Sequence, residues 1–266
     1  RFPIIHRMRF GICTSVEHAA AVKAAGWDYA EENVQRRLQG TVGDEEWNGT
    51  LAVASSELPV PAANSLVPAS VPIVGPTVSM EQLTTYMTRV LTRANKCNIR
   101  TLVFGSAGAR NVPDGFDRDE ARRQILDFLR MATPIAQANG VTLVAEPLNK
   151  RECNIINSVA EAMEYVKAVN HPNFQCLVDS YHFWREDEPL THLEAAMPWI
   201  RHVHLADKVG RVAPGLSGQS DYRPFFAVLK RGGYNGLISF EGKPMENFPQ
   251  TAVKVLEYVK QNWNEA

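Results

Sequence analysis

No apolar run in this chain reaches the roughly 18 residues that a membrane-spanning helix needs. Neither sign of charge dominates: 28 Lys and Arg are interleaved with 29 Asp and Glu, for a formal net charge of −1. With no basic stripe, composition argues against a nucleic-acid partner as well as a membrane one. Cysteine is scarce. Cys13, Cys97, Cys153 and Cys176 form no CxxC pair, and three of them lie in or beside apolar runs. They read as reduced core residues of a cytoplasmic protein, not as a disulfide framework. Low-complexity tracts and linkers are missing too. Arg1 to Arg7 contain no apolar segment of the kind a signal peptide carries. Met8 opens a strand-like run, so residues 1–7 are expected to be a leftover of a longer precursor or of an expression fusion.

What the chain does have is 266 residues, 45% of them hydrophobic. That suits one (β/α)8 barrel, which typically takes about 250. Four short β-forming runs stand out: Val141 to Ala145, Gln175 to Val178, Ile200 to Val203 and Leu237 to Phe240. Each leads into a residue with a metal-ligating side chain: Glu146, Asp179, His204 and Glu241. The intervals between those four are 33, 25 and 37 residues, close to the roughly 30 of a strand-plus-helix unit. Residues at the C-terminal ends of successive barrel strands converge on one face, where barrel enzymes keep their chemistry.

The rest of the chain fits the same scheme. Arg9 to Cys13, Tyr29 to Glu32, Pro59 to Ser65 and Thr101 to Phe104 read as strands 1 to 4. Helices are expected over Val16 to Ala25, from Ser79 to about Cys97, over Asp117 to Asn139, Val159 to Val169, Leu190 to Met197, Tyr222 to Arg231 and Phe248 to Trp263. Residues 34–57 are ambiguous, with a weak helix over Trp47 to Ser55. The proline-bearing loop after strand 3 is long enough to cover a site. Eight units without a linker imply a single TIM-barrel domain over residues 1–266.

Taken singly, each candidate has an ordinary explanation: a solvated Glu, an Asp capping the next segment, a core His. Together at unit spacing they point to a site for one divalent metal. Three carboxylates and an imidazole suit Mn²⁺, Mg²⁺, Co²⁺ or Zn²⁺, and the lack of thiolate argues against a structural zinc. Such a metal can take two oxygens of a hydroxy-carbonyl compound and stabilise an enediolate. Glu146 and Glu241, each ligand and acid/base, would then move the proton. The Phe104 to Arg110 loop could offer backbone N–H groups and Arg110 to a phosphate, though an ordinary turn accounts for it better.

The segments Ala145-Glu146-Pro147-Leu148-Asn149, Val178-Asp179-Ser180-Tyr181-His182-Phe183, His202-Val203-His204-Leu205-Ala206-Asp207 and Ser239-Phe240-Glu241-Gly242 resemble those of the xylose-isomerase-like barrels. The nearest pattern is that of the ketose 3-epimerases. The resemblance implies one divalent cation, often manganese, and a small sugar or keto-sugar as partner. By motif, Glu146, Asp179, His204 and Glu241 match the metal ligands, and Glu146 and Glu241 the proton-transfer pair. Glu152, His182 and Arg211 match residues that contact substrate. Barrels of this type often pair, which leaves a homo-oligomer open.

Two departures fall where the far end of a substrate would lie. Asp207 stands where a Glu is usual, in a loop one residue longer, and Gly242-Lys243 follow Glu241 in place of the frequent Pro-Phe. They leave the substrate's identity open. Because the same enediolate could expel a β-substituent instead of being reprotonated, a metal-dependent lyase acting on a keto-cyclitol or 3-keto-glycoside is the alternative reading. An endonuclease IV-type phosphodiesterase fits worse, because the ends of strands 3 and 4 offer Asn64 and Ser106 instead of histidines.

Overall fold

The computed structural model describes residues 7–266. Residues 1–6, most of the segment expected to be a leftover, lie outside the described residues. Arg7 is described, and its guanidinium donates to Asp28 Oδ1 at 3.0 Å.

Eight parallel strands close into a barrel in chain order, β8 pairing back onto β1. The first half runs β1 Arg9–Cys13, α1 Ala19–Ala24, β2 Tyr29–Asn33, α2 Val34–Arg37, α3 Gly49–Ala54, β3 Ala62–Asn64, α4 Met80–Lys96, β4 Thr101–Phe104, α5 Ala107–Arg110 and α6 Arg118–Ala138. The second half runs β5 Thr142–Ala145, α7 Val159–Val169, β6 Phe174–Asp179, α8 Ser180–Arg185, α9 Leu190–Ala196, β7 Ile200–Leu205, α10 Arg223–Arg231, β8 Leu237–Phe240 and α11 Phe248–Glu265.

Three of the long helices, α4, α6 and α7, start where a capping residue stands. The side chains of Ser79, Asp117 and Ser158 each accept from the backbone N–H three residues on, at 3.2, 2.7 and 3.0 Å. Such a cap is worth about 1 kcal/mol. The apolar stripes of these helices pack against the outer face of the sheet in one continuous core, with Phe104 of β4 against Phe128 of α6 at 5.6 Å between ring centroids. Burying side chains of this size contributes roughly 1.5–3 kcal/mol each.

The barrel interior is divided. On one side β4, β5 and β6 contribute an apolar group of Val103, Val144 and Leu177. On the other, β2, β7 and β8 bring Glu31, His202, His204 and Ser239 into a buried polar network. Tyr29 also points inward, and Gly11 on β1 makes room for it: a Cβ at Gly11 would collide with the Tyr29 ring. The register between β6 and β7 slips at Cys176/Leu177, where Cys176 pairs with Ile200 and Leu177 with His202. Arg201 is the extra residue of this bulge, and both histidines beyond it are fully buried.

Some expectations need adjusting. β3 is three residues long instead of seven, because Pro59 and Pro61 supply no N–H to a ladder. Their carbonyls still accept from Ala30, Arg100 and Thr101. The first helix opens with a separate 3-10 turn, Val16–His18, and Ser15 makes no capping bond. The ambiguous stretch folds as two short helices, α2 and α3. Residues 107–110 form the one-turn helix α5. Arg110 is fully buried there and donates to the carbonyls of Phe104 and Glu146 at 2.8 Å each, so it is not free to hold a phosphate.

Candidate active site

Four strand ends meet. Glu146 directly follows β5, Asp179 ends β6, His204 lies one residue before the end of β7, and Glu241 directly follows β8. One ligand atom from each lies within 4.8 Å of those of the others. His204 presents Nδ1 to this group, 2.9 Å from Glu146 Oε1 and 3.6 Å from Glu241 Oε2.

Asp179 both caps and points into the cluster. Its Oδ1 accepts from the N–H groups of Tyr181 and His182, which starts α8. Its Oδ2 is buried and has no partner among the described residues. A buried carboxylate oxygen without a donor is costly, and a cation at the cluster would satisfy it. The donor set of three carboxylates and one imidazole, with this orphaned oxygen, therefore fits one divalent metal.

Charge is unevenly distributed among the four. Burial, reinforced by the negative Glu241, raises the pKa of Glu146. Burial also lifts Asp179 to about 6. Burial would raise Glu241 as well, but His204 and Arg211 outweigh it and bring that carboxyl down to about 2. His204 is pushed well above the usual histidine range: burial opposes this, and the charges of Glu31 and Glu241 override it.

Glu31 of β2 sits behind His204. Its Oε1 is 2.9 Å from His204 Nε2, and its Oε2 is 2.7 Å from His202 Nε2. Ser239 donates to the same Oε2 and meets the Tyr29 hydroxyl at 2.8 Å. Fixing Nε2 as a donor leaves Nδ1 as the nitrogen available to a cation. Glu31 is not singled out by any strand-end position in the sequence. The available signal was a pair of adjacent glutamates inside an otherwise buried short strand. Asn64, at the end of β3, also takes part: its Nδ2 donates to Glu241 Oε1 at 2.6 Å.

Of the three residues matched to substrate contact, Glu152 and Arg211 line the cavity above, and His182 adjoins Arg211. Arg211 donates to Glu241 Oε2 at 2.7 Å and Glu152 Oε2 at 3.2 Å, and lies over the Tyr181 ring. His182 accepts from Asn149 N–H at Nδ1 (3.1 Å), and burial lowers its pKa, so the neutral ring carries its proton on Nε2. That Nε2 is 3.4 Å from Arg211 Nη2. Two donors face each other there, and one ligand oxygen could accept from both. Gly105 allows the close approach of β4 to this wall, since a Cβ on it would strike Glu146 Oε2. Ser65, Val67 and Ala69, from the proline-bearing loop, complete a cavity of about 400 Å³. A larger hollow of about 780 Å³ opens at the opposite mouth, among the strand starts, away from the face on which barrels carry chemistry.

Residues 19–262 match the xylose isomerase-like TIM barrel family, and this chain belongs to it. Among curated proteins it is similar to 3-dehydro-D-guloside 4-epimerase of Escherichia coli, 31% identical over 143 residues that make up 53% of each chain. It is also similar to a putative hydroxypyruvate isomerase of Mus musculus, 28% identical over 59% of this chain and 58% of that one. The chain thus spans a little over half the length of these curated relatives. Among solved structures, D-allulose 3-epimerase of Methylomonas sp. with D-allulose superposes with a TM-score of 0.82, covering 97% of this chain and 98% of that one. At 21% identity this match speaks to the fold alone.

Proposed function

We propose that this chain is a divalent-metal-dependent sugar isomerase or epimerase, a single barrel domain acting on a ketose or related hydroxy-carbonyl compound. The observation that carries the reading is the convergence of Glu146, Asp179, His204 and Glu241 within 4.8 Å, beneath a cavity that also presents Glu152 and Arg211. The epimerase and isomerase names of its relatives support it.

Glu146, Asp179, His204 through Nδ1, and Glu241 would hold the cation, with manganese the first expectation and Mg²⁺, Co²⁺ or Zn²⁺ admissible for this donor set. When bound, it would draw charge from two adjacent substrate oxygens and make the proton beside the carbonyl easier to remove. The remaining work falls to side chains. Glu146 and Glu241 stand on strands three apart around the rim, so they approach a bound molecule from two sides. One takes a proton and the other returns one. Return to the opposite face of the same carbon inverts it, and return to its neighbour moves the carbonyl. His182 Nε2–H and Arg211 would hold substrate oxygens, with Glu152 fixing Arg211.

Four free cysteines, three of them buried, and the absence of any helix among the described residues long and apolar enough to cross a membrane support a cytoplasmic setting. Association into a homo-oligomer belongs to the same expectation. The test is incubation of the Mn²⁺-loaded protein in D₂O with a panel of ketoses, keto-acids and 3-keto-glycosides. Deuterium beside the carbonyl, together with inversion or carbonyl migration, is expected. Elimination of a β-substituent without isomerisation would favour the lyase instead, and no exchange with any substrate would contradict both.

A further inference from the structure

We infer that Asp207 and Gly242 are positioning residues for Arg211, and that together they aim its guanidinium at the site. The inference rests on the isomerase reading above for what Arg211 does, and adds what holds it there.

Arg211 needs such support. Residues 206–222, between β7 and α10, form no helix or strand, and Arg211 lies among them. No regular element sets the direction of its side chain. Its φ is +52°, in the left-handed region that residues with a side chain rarely enter. Such a conformation persists where the surroundings over-determine it. The guanidinium nevertheless has an exacting place. It stands 2.7 Å from Glu241 Oε2 and 3.2 Å from Glu152 Oε2, with Nη2 3.4 Å from His182 Nε2.

Asp207 closes the loop from inside. It is fully buried. Its Oδ1 accepts from the Gly215 N–H at 3.1 Å and from the Tyr222 hydroxyl at 2.9 Å, and its Oδ2 accepts from the Ser217 N–H at 2.9 Å. Its own N–H donates to the carbonyl of Val212, the residue after Arg211, at 2.9 Å. One residue therefore ties the start of the loop to its far limb, and Arg211 stands on the arch between. This donor set needs a carboxylate. An amide in either orientation would turn its NH₂ toward a backbone N–H. A glutamate, one methylene longer, could not meet the same three donors without displacing them.

Gly242 holds the arch from the strand end. The Lys243 N–H donates to the Arg211 carbonyl at 2.9 Å, which lays that carbonyl across residue 242. A Cβ there would stand 2.5 Å from the carbonyl oxygen and 2.8 Å from the Phe240 ring, so only glycine leaves room. Gly242 directly follows Glu241, and the same strand end thus supplies a cluster carboxylate and fixes the backbone of the arginine paired with it. The longer loop, Asp207 in place of Glu, and Gly242-Lys243 in place of Pro-Phe belong to one device. The arch brings the Arg211 carbonyl onto residue 242, glycine admits it, and the shorter carboxylate closes the arch.

The first arm of the test needs no substrate. Amide hydrogen exchange in the metal-free protein, followed by NMR, reads the bonds themselves. Asp207→Asn should speed exchange at Gly215 and Ser217, and Gly242→Ala at Lys243, by at least ~5-fold relative to the amides of β7 and β8. Unchanged exchange at those positions would overturn the inference. The second arm is turnover by the Mn²⁺-loaded protein of the compound in the panel above that takes up deuterium fastest. Each variant should keep one metal per chain and lose about 10-fold in kcat/KM, with a raised KM. In an Arg211→Ala background the same substitutions should cost less than ~2-fold more, because residues that act through one group are not additive. A further loss of about 10-fold in that background would show that they act by another route and overturn the inference. Asp207→Glu should behave as Asp207→Asn does, and wild-type behaviour would overturn the fit of carboxylate to loop. Absence of deuterium uptake from every compound by the wild-type protein would contradict the isomerase reading, and the exchange arm would still decide what holds Arg211.

Discussion

His204 and Glu31 meet at 2.9 Å in the barrel interior, Nε2 against Oε1, with neither side chain exposed to solvent. This contact decides which imidazole nitrogen faces the carboxylate cluster. Behind a metal-ligating histidine, such a carboxylate fixes the tautomer and is typically worth 10–100-fold in metal affinity. Glu31→Gln should therefore weaken Mn²⁺ binding by at least ~10-fold. Because Glu31 also anchors His202 and Ser239, the measurement must separate affinity from folding. Titration well below the melting temperature, with the ¹⁵N shifts of His204 to report its tautomer, does so. Affinity within twofold of wild type, with Nε2 still protonated, would remove Glu31 from this role.

The Asp179 carboxyl carries a second prediction. Its pKa in the folded protein is about 6, against an ordinary 3.8. The folded state keeps a proton that the unfolded chain releases. Stability without metal should thus fall as the pH rises from about 4 through about 6, by up to roughly 3 kcal/mol. His204 acts in the same sense, since its folded pKa is raised above 6.5. Its contribution is fully present below the unfolded value and is lost as the pH climbs through the folded one. A cation that needs both groups deprotonated works the other way, so the melting-temperature gain from Mn²⁺ should grow with pH. Calorimetric scans between about pH 5 and 8, with and without Mn²⁺, read both slopes. Asp179→Asn should flatten the metal-free slope and weaken metal binding.

His182 and Arg211 are expected to act on substrate oxygens. His182→Gln and Arg211→Ala should each retain one metal per chain by elemental analysis while kcat/KM falls by about 10-fold or more. For Arg211→Ala the loss should include a raised KM, since the guanidinium and its partner Glu152 form part of the cavity wall. Stoichiometric loss of metal in either variant would count against the assignment.

Gly105 tests the cavity wall itself. Gly105→Ala places a methyl group against Glu146 Oε2, and the carboxylate must move. Turnover should drop by at least ~10-fold while the circular dichroism spectrum stays that of wild type. Unchanged turnover would show that the position of Glu146 is less constrained than the packing implies.

The barrel was legible in the sequence because its strands are short apolar runs at near-regular intervals, each leading to an identifiable polar end. The four cluster residues were legible for the same reason, because they stand at or next to strand ends, whereas Glu152, His182 and Arg211 were reached only through the resemblance of the flanking motifs to known barrels. Glu31 was not, because it lies inside a short strand and its significance depends on contact with His204, 173 positions away. Asn64 was hidden in the same way, across 177 positions from Glu241. The dual role of Asp179 was half visible. Capping and ligation looked like alternatives in the sequence, whereas the structure gives one oxygen to α8 and leaves the other for the cluster. β3 is shorter than its β-forming residues suggest, because Pro59 and Pro61 lack the N–H groups a ladder needs.

Glu146 and Glu241 are proposed to transfer the proton from two sides of one bound molecule. This transfer is tested most directly by following a ketose turned over by the wild-type protein with the metal-loaded Glu146→Gln and Glu241→Gln variants in D₂O by NMR. Each variant should lose net conversion by at least ~100-fold, the usual worth of a general acid or base. At least one should still exchange deuterium into the substrate through the surviving carboxylate. Near-wild-type conversion in either variant would contradict the two-glutamate account.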